Sequence, residues 1–347
     1  MKFRTTAMRL ATALRAAEAG ARGSGLVRVE TFKEGGVSLT GSDGEYGVVV
    51  HLEASGEGAG SAIIKADALA SYTSALEEET AIEAETEGST LRITGGGRVY
   101  RFSIIEGGYV KLEVPEAAAS YEDAEKVFVL YNKIKHAIDP KTQLIKLSNN
   151  EGILSMAATD TYRLACAETK GMDLGSWSVL IPSGGLQLAG RFRPEVLKID
   201  PRGRLASFHG NGVDTIIRLG AAEFPSVESV LRDKGSIGWK LYSHDLQKAL
   251  QRLGSVVGLN PLRCEIVEGE FRLSASSQDG GGVEYLNLSG EGSGNFGMAV
   301  RNLVDALQGL GEGEISMHYS APERPIHLTH ERDGVLTTCV IVPVRWS

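Results

Sequence analysis

The residues most suggestive of chemistry are a glycine cluster, seven histidines and three cysteines. Gly292-Ser293-Gly294-Asn295-Phe296-Gly297 is a literal GxGxxG between a strand and a helix, the setting in which helix N-terminal amides cradle a pyrophosphate. The strand ahead of it does not fit. A dinucleotide-binding first strand is buried on both faces and apolar throughout, whereas here polar Glu284 and Asn287 interrupt Tyr285, Leu286 and Leu288. The motif also lies too near the end of the chain for the remaining parallel strands. His51, His136, His209, His244, His318, His327 and His330 lack ligand spacing, and the last two sit in a strand-and-turn pattern, not on a helix. Cys166, Cys264 and Cys339 are scattered through apolar runs with no CxxC spacing, which suits a reducing compartment. GxSxG, Walker and paired-carboxylate signatures are absent. The sequence therefore predicts no catalytic residue, no cofactor and no metal.

The remaining chemistry is electrostatic. The net charge of −8 argues against nucleic acid if taken alone, but 36 Lys and Arg side chains remain to be distributed, and phosphate binding depends on where cations cluster. Several fall on helical faces opposite apolar stripes. Lys248 and Arg252 lie across from Leu246, Leu250, Leu253 and Val257, which recur at steps of four, three and four, one face of a 3.6-residue period. Lys126 and Lys133 stand seven apart beside a stripe of Val127, Tyr131, Ile134 and Ile138. Arg191 and Arg193, Arg301, and Arg9 with Lys65 belong to other helical segments. The stripe around Arg9 is weaker, with Met8, Leu10, Ala11 and Leu14.

These segments belong to a repeat. Asp43, Asp160 and Asp279 each open a strand and stand 117 and 119 residues apart. Each strand leads, through a polar linker, to a short strand running into a second helix. Lys65, Pro182 and Val300 mark that passage at intervals of 117 and 118. Alternating strands and a Gly-rich turn close each unit, as in Leu91–Phe102. A period this long is a domain, because solenoid repeats run to roughly 20–50 residues. The chain reads as α+β with three similar domains, 1–119, 120–232 and 233–347, each with two helices and antiparallel sheets.

Three segments carry a family resemblance. Ala157-Ala158-Thr159-Asp160-Thr161-Tyr162-Arg163-Leu164-Ala165 resembles the A-T-D-G-H-R-L segment of the bacterial DNA polymerase III β subunit, the sliding clamp. Phe224-Pro225-Ser226-Val227-Glu228-Ser229-Val230-Leu231 resembles that family's F-P-x-x-x-x-V-L link, and Val340-Ile341-Val342-Pro343-Val344-Arg345-Trp346 its closing V-V-M-P-M-R-L. The resemblance implies a DNA clamp fold and a head-to-tail homodimer forming a six-domain ring around duplex DNA without reading sequence. It also implies that the three segments meet in a groove for short apolar peptides from the polymerase III α subunit, the clamp loader and other partners. The implied groove comprises Thr159, Tyr162, Arg163, Leu164, Pro225, Val230, Val340, Ile341, Val342, Pro343, Val344 and Arg345, with both arginines as rim donors. Burying two or three partner side chains at about 1.5–3 kcal/mol each, less ordering costs, corresponds to affinities on the order of micromolar.

The same resemblance turns the helical cations toward DNA (Arg9, Lys65, Lys126, Lys133, Arg191, Arg193, Lys248, Arg252 and Arg301) and adds Arg22 from a Gly-rich turn. Phe102 and Ile104 are expected to meet Val256 and Val257 of the partner at the dimer interface. Departures from the family pattern are Thr161-Tyr162 for Gly-His, Val342 and Val344 for methionines, and Ser229 for an arginine. Valine adapts less than methionine, so the groove is expected to be narrower. The altered residues also admit an alternative, a clamp-like paralogue serving repair, resistance or a mobile element. An unbroken apolar segment of about 18 residues, as a membrane span needs, is missing, and the N-terminus does not read as a secretory signal. The expected location is the cytoplasm, at the nucleoid.

Overall fold

The structure is a computed structural model. It describes the chain apart from residues 116–118, 172–174, 201, 203, 259, 279, 346 and 347, and apart from the side chains of Ala119 and Val257. Asp279 and Trp346, singled out above, lie outside the described residues, as does the Val257 side chain.

A β-α-β-β-β unit recurs six times. The first runs β1 (Lys2–Thr6), α1 (Ala7–Glu18), β2 (Leu26–Thr31), β3 (Val37–Ser42) and β4 (Tyr46–Leu52), with a short β5 (Ser55–Glu57) after it. The second is β6 (Gly60–Lys65), α2 (Ala66–Ser74), β7 (Ala81–Glu87), β8 (Thr90–Gly95) and β9 (Arg98–Ser103). The third is β10 (Ala119–Tyr121), α3 (Ala124–Ile134) with a 3₁₀ turn at Lys135–Ala137, β11 (Leu144–Asn150), β12 (Ile153–Thr159) and β13 (Arg163–Lys170). The fourth is β14 (Trp177–Pro182), α4 (Ser183–Gly190), β15 (Val196–Asp200), β16 (Leu205–Gly210) and β17 (Val213–Arg218). A short helix, α5 (Glu228–Arg232), precedes the fifth: β18 (Ile237–Tyr242), α6 (Ser243–Val257), β19 (Leu262–Val267), β20 (Glu270–Ser276) and β21 (Gly281–Asn287), followed by β22 (Ser289–Gly290). The sixth is β23 (Gly294–Met298), α7 (Val300–Leu310), β24 (Glu314–Tyr319), β25 (Ile326–Arg332) and β26 (Val335–Ile341).

The second helix of each repeat starts at Ala66, Ser183 and Val300, a constant interval of 117. Ala299, not Val300, is therefore the equivalent of Lys65 and Pro182, a one-residue correction. On α1 the buried face is Ala7, Leu10, Ala11, Ala13, Leu14 and Ala17, capped by Thr6 accepting from the Arg9 amide at 3.4 Å. Met8 is exposed and does not belong to the stripe; alanines supply it instead.

The chain forms two compact units. One, residues 1–125 with 181–220, holds an eight-stranded sheet ordered β10-β15-β16-β17-β4-β3-β2-β6 and a five-stranded sheet ordered β5-β1-β7-β8-β9. Its core joins Leu10 and Leu14 of α1 to Val27, Leu39, Val48 and Ile64, with Leu69, Ile82 and Leu91 beside them. The other, residues 126–180 with 221–347, holds a nine-stranded sheet ordered β14-β11-β12-β13-β26-β25-β24-β18-β22 and a four-stranded sheet ordered β21-β20-β19-β23. These units cut across the expected domain limits because each large sheet is built from strands of two repeats.

The joining strands hold the same rank. β4 and β17, each the last strand of its unit, pair antiparallel from Val50 opposite Val213 to Tyr46 opposite Ile217. β13 and β26, again last strands, pair from Arg163 opposite Ile341 to Thr169 opposite Val335. The remaining last strands are β9 and β21, and among the described residues each has a neighbour on one side only. The GxGxxG glycines serve packing: β23 pairs antiparallel with β19, and a Cβ on Gly294 would come within 2.9 Å of the buried Trp239 ring.

Candidate functional site

The first resembling segment folds as the β12–β13 hairpin. Asp160 Oδ1 accepts hydrogen bonds from the Tyr162 and Arg163 amides at 3.1 and 2.9 Å, while Thr159 Oγ1 donates to the Arg163 carbonyl at 2.8 Å. Asp43 closes the β3–β4 hairpin in the same way, accepting from Glu45 and Tyr46 at 2.9 and 2.7 Å. The residue after the aspartate is left-handed in both, Gly44 at φ 88° and Thr161 at φ 75°. Glycine adopts this conformation freely, but a β-branched threonine is strained in it.

Around this hairpin the expected groove residues gather on a small apolar cluster. Leu164 and Val340 are cross-strand partners on β13 and β26 and are buried with Ala157, Cys166 and Val227, against which Phe224 and Leu231 pack. Val230 and Val342 are exposed, as are Pro225, Tyr162 and Arg345, and Thr159, Pro343 and Val344 are partly covered. The Val342 amide donates to the Tyr162 carbonyl at 2.9 Å and carries the pairing one step past β26. Pro343, Val344 and Arg345 line a cleft of about 460 Å³ with Pro322 and Glu323. Two ties hold α5 over the cluster. Lys146 donates to Glu228 at 2.7 Å, and this hydrogen bond holds the Glu228 carboxyl down to about 2. His327 Nε2 donates to the Val230 carbonyl at 2.8 Å. Sequence reasoning left Ala157, Cys166 and Val227 out of the groove, although a two-residue step from Thr159 and from Leu164 reaches the first two.

Two groove expectations change. Arg163 is not a rim donor: its Nε donates to Asp160 at 2.9 Å and its Nη1 to Asp305 on α7. Ile341 is fully buried opposite Arg163, on the strand face away from Val340. Successive strand residues point to opposite faces, so Leu164 and Val340 face the cluster while Arg163 and Ile341 face α7.

The expected DNA-facing cations differ in availability. Lys133 is half-buried and donates to the Leu310 carbonyl at the end of α7 at 3.2 Å, and burial lowers its pKa. Its ammonium caps the C-terminal end of α7. This contact needs Gly309, where a Cβ would lie 2.4 Å from the Lys133 carbonyl. Arg252 donates to both carboxylate oxygens of Glu284, at 2.8 and 2.6 Å, so its charge is already answered. Arg9 sits 3.0 Å from Glu53 with both side chains exposed. Arg22 lies 4.2 Å over the Tyr46 ring and shares a cleft with the exposed Lys65. Arg191, Arg193, Lys248 and Arg301 are exposed, and Lys126 is partly covered.

At the sheet edges, Phe102 and Ile104 pack against the core of their own unit, Phe102 with its ring 6.1 Å from Tyr72. Val256 is exposed. The open apolar residues on these two edge strands are others: Val99 and Tyr100, each 46% exposed on β9, and Val283 and Tyr285, 43% and 57% exposed on β21.

The arrangement closest to a catalytic relay lies on β4, β16 and β17. Ser207 Oγ is 2.7 Å from His209 Nε2, His209 Nδ1 is 2.7 Å from Asp214, and His51 Nε2 is 2.9 Å from the other Asp214 oxygen. Ser207 is fully buried, so no substrate reaches it. The Asp214 hydrogen bond raises the pKa of His51, and Asp214 is held well below the usual carboxylate range against the opposing effect of burial. The three cysteines are buried and free, and burial pushes Cys166 and Cys339 to about 12. Among the described residues no group of three or more His, Cys, Asp or Glu is placed to hold a metal, and no helix is long and apolar enough to cross a membrane.

No family model matches the chain. Solved structures do. The β sliding clamp of C. crescentus superposes with a TM-score of 0.88 at 17% identity, with 100% of each chain covered. DNA polymerase III β subunit from Thermotoga maritima gives 0.83 at 21% identity, and a Pseudomonas aeruginosa sliding clamp bound to griselimycin gives 0.84 at 19%, both again over 100% of each chain. The chain has an α+β architecture of the sliding-clamp class. Its fold is that of the DNA polymerase III β subunit.

Proposed function

We propose that this protein is a sliding clamp: two copies close head to tail around duplex DNA and tether a polymerase to it. The observation that carries the reading is the pairing of last strands. Within the chain, β4 joins β17 and β13 joins β26, and of the six last strands β9 and β21 keep one open side among the described residues. An exposed edge bearing apolar side chains invites another strand. The pattern is completed when β21 of one copy pairs with β9 of the next. Three domains, 1–119, 120–232 and 233–347, then give six in a closed dimer, a heterologous contact that closes on itself.

In this reading the exposed helical cations Lys65, Arg191, Arg193, Lys248 and Arg301, with Arg22 and Lys126, meet phosphates without contacting base edges, as sliding requires. The acidic remainder of the surface, implied by a net charge of −8, limits binding from outside the ring. The cluster between Leu164, Val340 and α5 receives a short apolar segment from the polymerase III α subunit, the clamp loader or other partners. Encirclement replaces tight binding, no bond is made or broken by the protein, and a separate loader supplies ATP chemistry. The protein works in the cytoplasm, on the nucleoid.

The test is topological. Loaded onto circular duplex DNA, the protein is expected to stay through a salt wash and to leave when the circle is cut. Equal loss from circular and linear DNA would refute the reading.

A further inference from the structure

We infer that His327 is the positioning residue that sets the peptide-facing wall of the groove, through one tautomer-specific hydrogen bond. The inference rests on the groove reading above and concerns a residue outside the three resembling segments. His327 lies on β25 directly opposite Val340 on β26, so its ring shares the face that carries the apolar floor. It is 1% exposed, and Nε2 donates to the Val230 carbonyl at 2.8 Å. Val230 and Leu231 are the part of α5 that overhangs the floor.

That helix has five residues, little more than one turn, flanked by bonds from Leu231 to Val227 at 2.9 Å and from Asp233 to Ser229 at 3.2 Å. A helix this short is not stable by itself, so its place depends on ties to the sheet. One is Lys146 to Glu228 at its start, where Glu228 is exposed. The other is His327 at its end, shielded from solvent. The bond specifies the neutral tautomer with the proton on Nε2, since the other tautomer turns a lone pair toward the carbonyl. Among the described residues Nδ1 is buried without a partner at hydrogen-bonding geometry, and burial is the largest influence on the ring, lowering its pKa. Val227 and Leu231 pack on the floor and bring the wall down, but packing alone does not fix its angle. The His327 bond does, and with it the width available to a ligand over Leu164 and Val340.

The experiment uses the whole chain, with a synthetic peptide bearing three apolar side chains as the groove probe and hydrogen exchange as a readout that needs no ligand. His327→Leu is expected to speed exchange at the Leu231 and Asp233 amides. It should also weaken binding of the apolar peptide roughly tenfold, the cost of one lost hydrogen bond to a shielded carbonyl. His327→Gln, whose amide occupies the place of Nε2, is expected to restore both, and ¹⁵N spectra of the parent should show the Nε2–H tautomer. Unchanged exchange in His327→Leu, or no rescue by His327→Gln, would overturn the inference. Failure of the parent chain to bind the apolar peptide would count against the groove reading, while the exchange arm would still decide the role of His327.

Discussion

Replacing Arg163 by methionine should destabilise the protein by about 2–4 kcal/mol. Arg163 is the side chain that ties the β12–β13 hairpin to α7: it is 14% exposed and paired with Asp160 and Asp305, themselves 15% and 23% exposed. Methionine keeps the volume and removes the charge, leaving two largely covered carboxylates near each other without a cation. Breaking a buried ion pair costs about 3–5 kcal/mol because the remaining charge is uncompensated, and the partial exposure of Asp305 lowers the expectation. Arg301, 3.9 Å from Asp305, is too distant and too exposed to replace it. Urea unfolding followed by circular dichroism measures the loss. The double variant with Asp305→Asn should recover part of it, since one orphaned charge is gone. A loss below about 1 kcal/mol, or none recovered by the double variant, would refute the assignment of Arg163 as a clasp and return it to the groove rim.

Three further outcomes are expected. Thr161→Gly relieves a left-handed threonine, worth roughly 1–2 kcal/mol of strain less the extra chain entropy of glycine, so urea midpoints should rise; a fall would mean the turn gains more from the threonine side chain than it loses. His51 has a raised folded pKa through Asp214, so its stabilisation is present below about pH 6.5 and is lost as pH rises through the folded value. His51→Gln should therefore lower the thermal midpoint at pH 5.5 and leave it unchanged at pH 8.5, and the opposite pattern would contradict the sign. Tyr100→Asp on β9 or Tyr285→Asp on β21 should weaken self-association at least roughly tenfold, by burying a charge where an apolar ring is due, while the far-ultraviolet spectrum stays that of the parent.

Much of the fold was legible in the sequence because local signals repeat. Asp43 and Asp160 close equivalent hairpins, and the helix starts at Ala66, Ser183 and Val300 keep a fixed interval. What was not legible depends on partners far away in the chain. Lys133 reads as a helix-face cation until the end of α7 arrives beside it, and Arg163 reads as a rim donor until β26 fixes which face it takes. Val99 and Tyr100 stand side by side in a short apolar run like many strand residues, and only the strand order marks β9 as a sheet edge. The His51, His209 and Asp214 network has no sequence spacing at all, because the register between β4, β16 and β17 creates it. His327 was passed over as lacking ligand geometry, since its partner is a backbone carbonyl almost a hundred residues earlier.

The central claim is that two edge strands, β9 and β21, close a ring of two chains. Sedimentation equilibrium measures this most directly. The account predicts a particle of two chains at micromolar concentration that falls apart on Tyr100→Asp; a single chain at every concentration, or an open series of ever larger species, would contradict it.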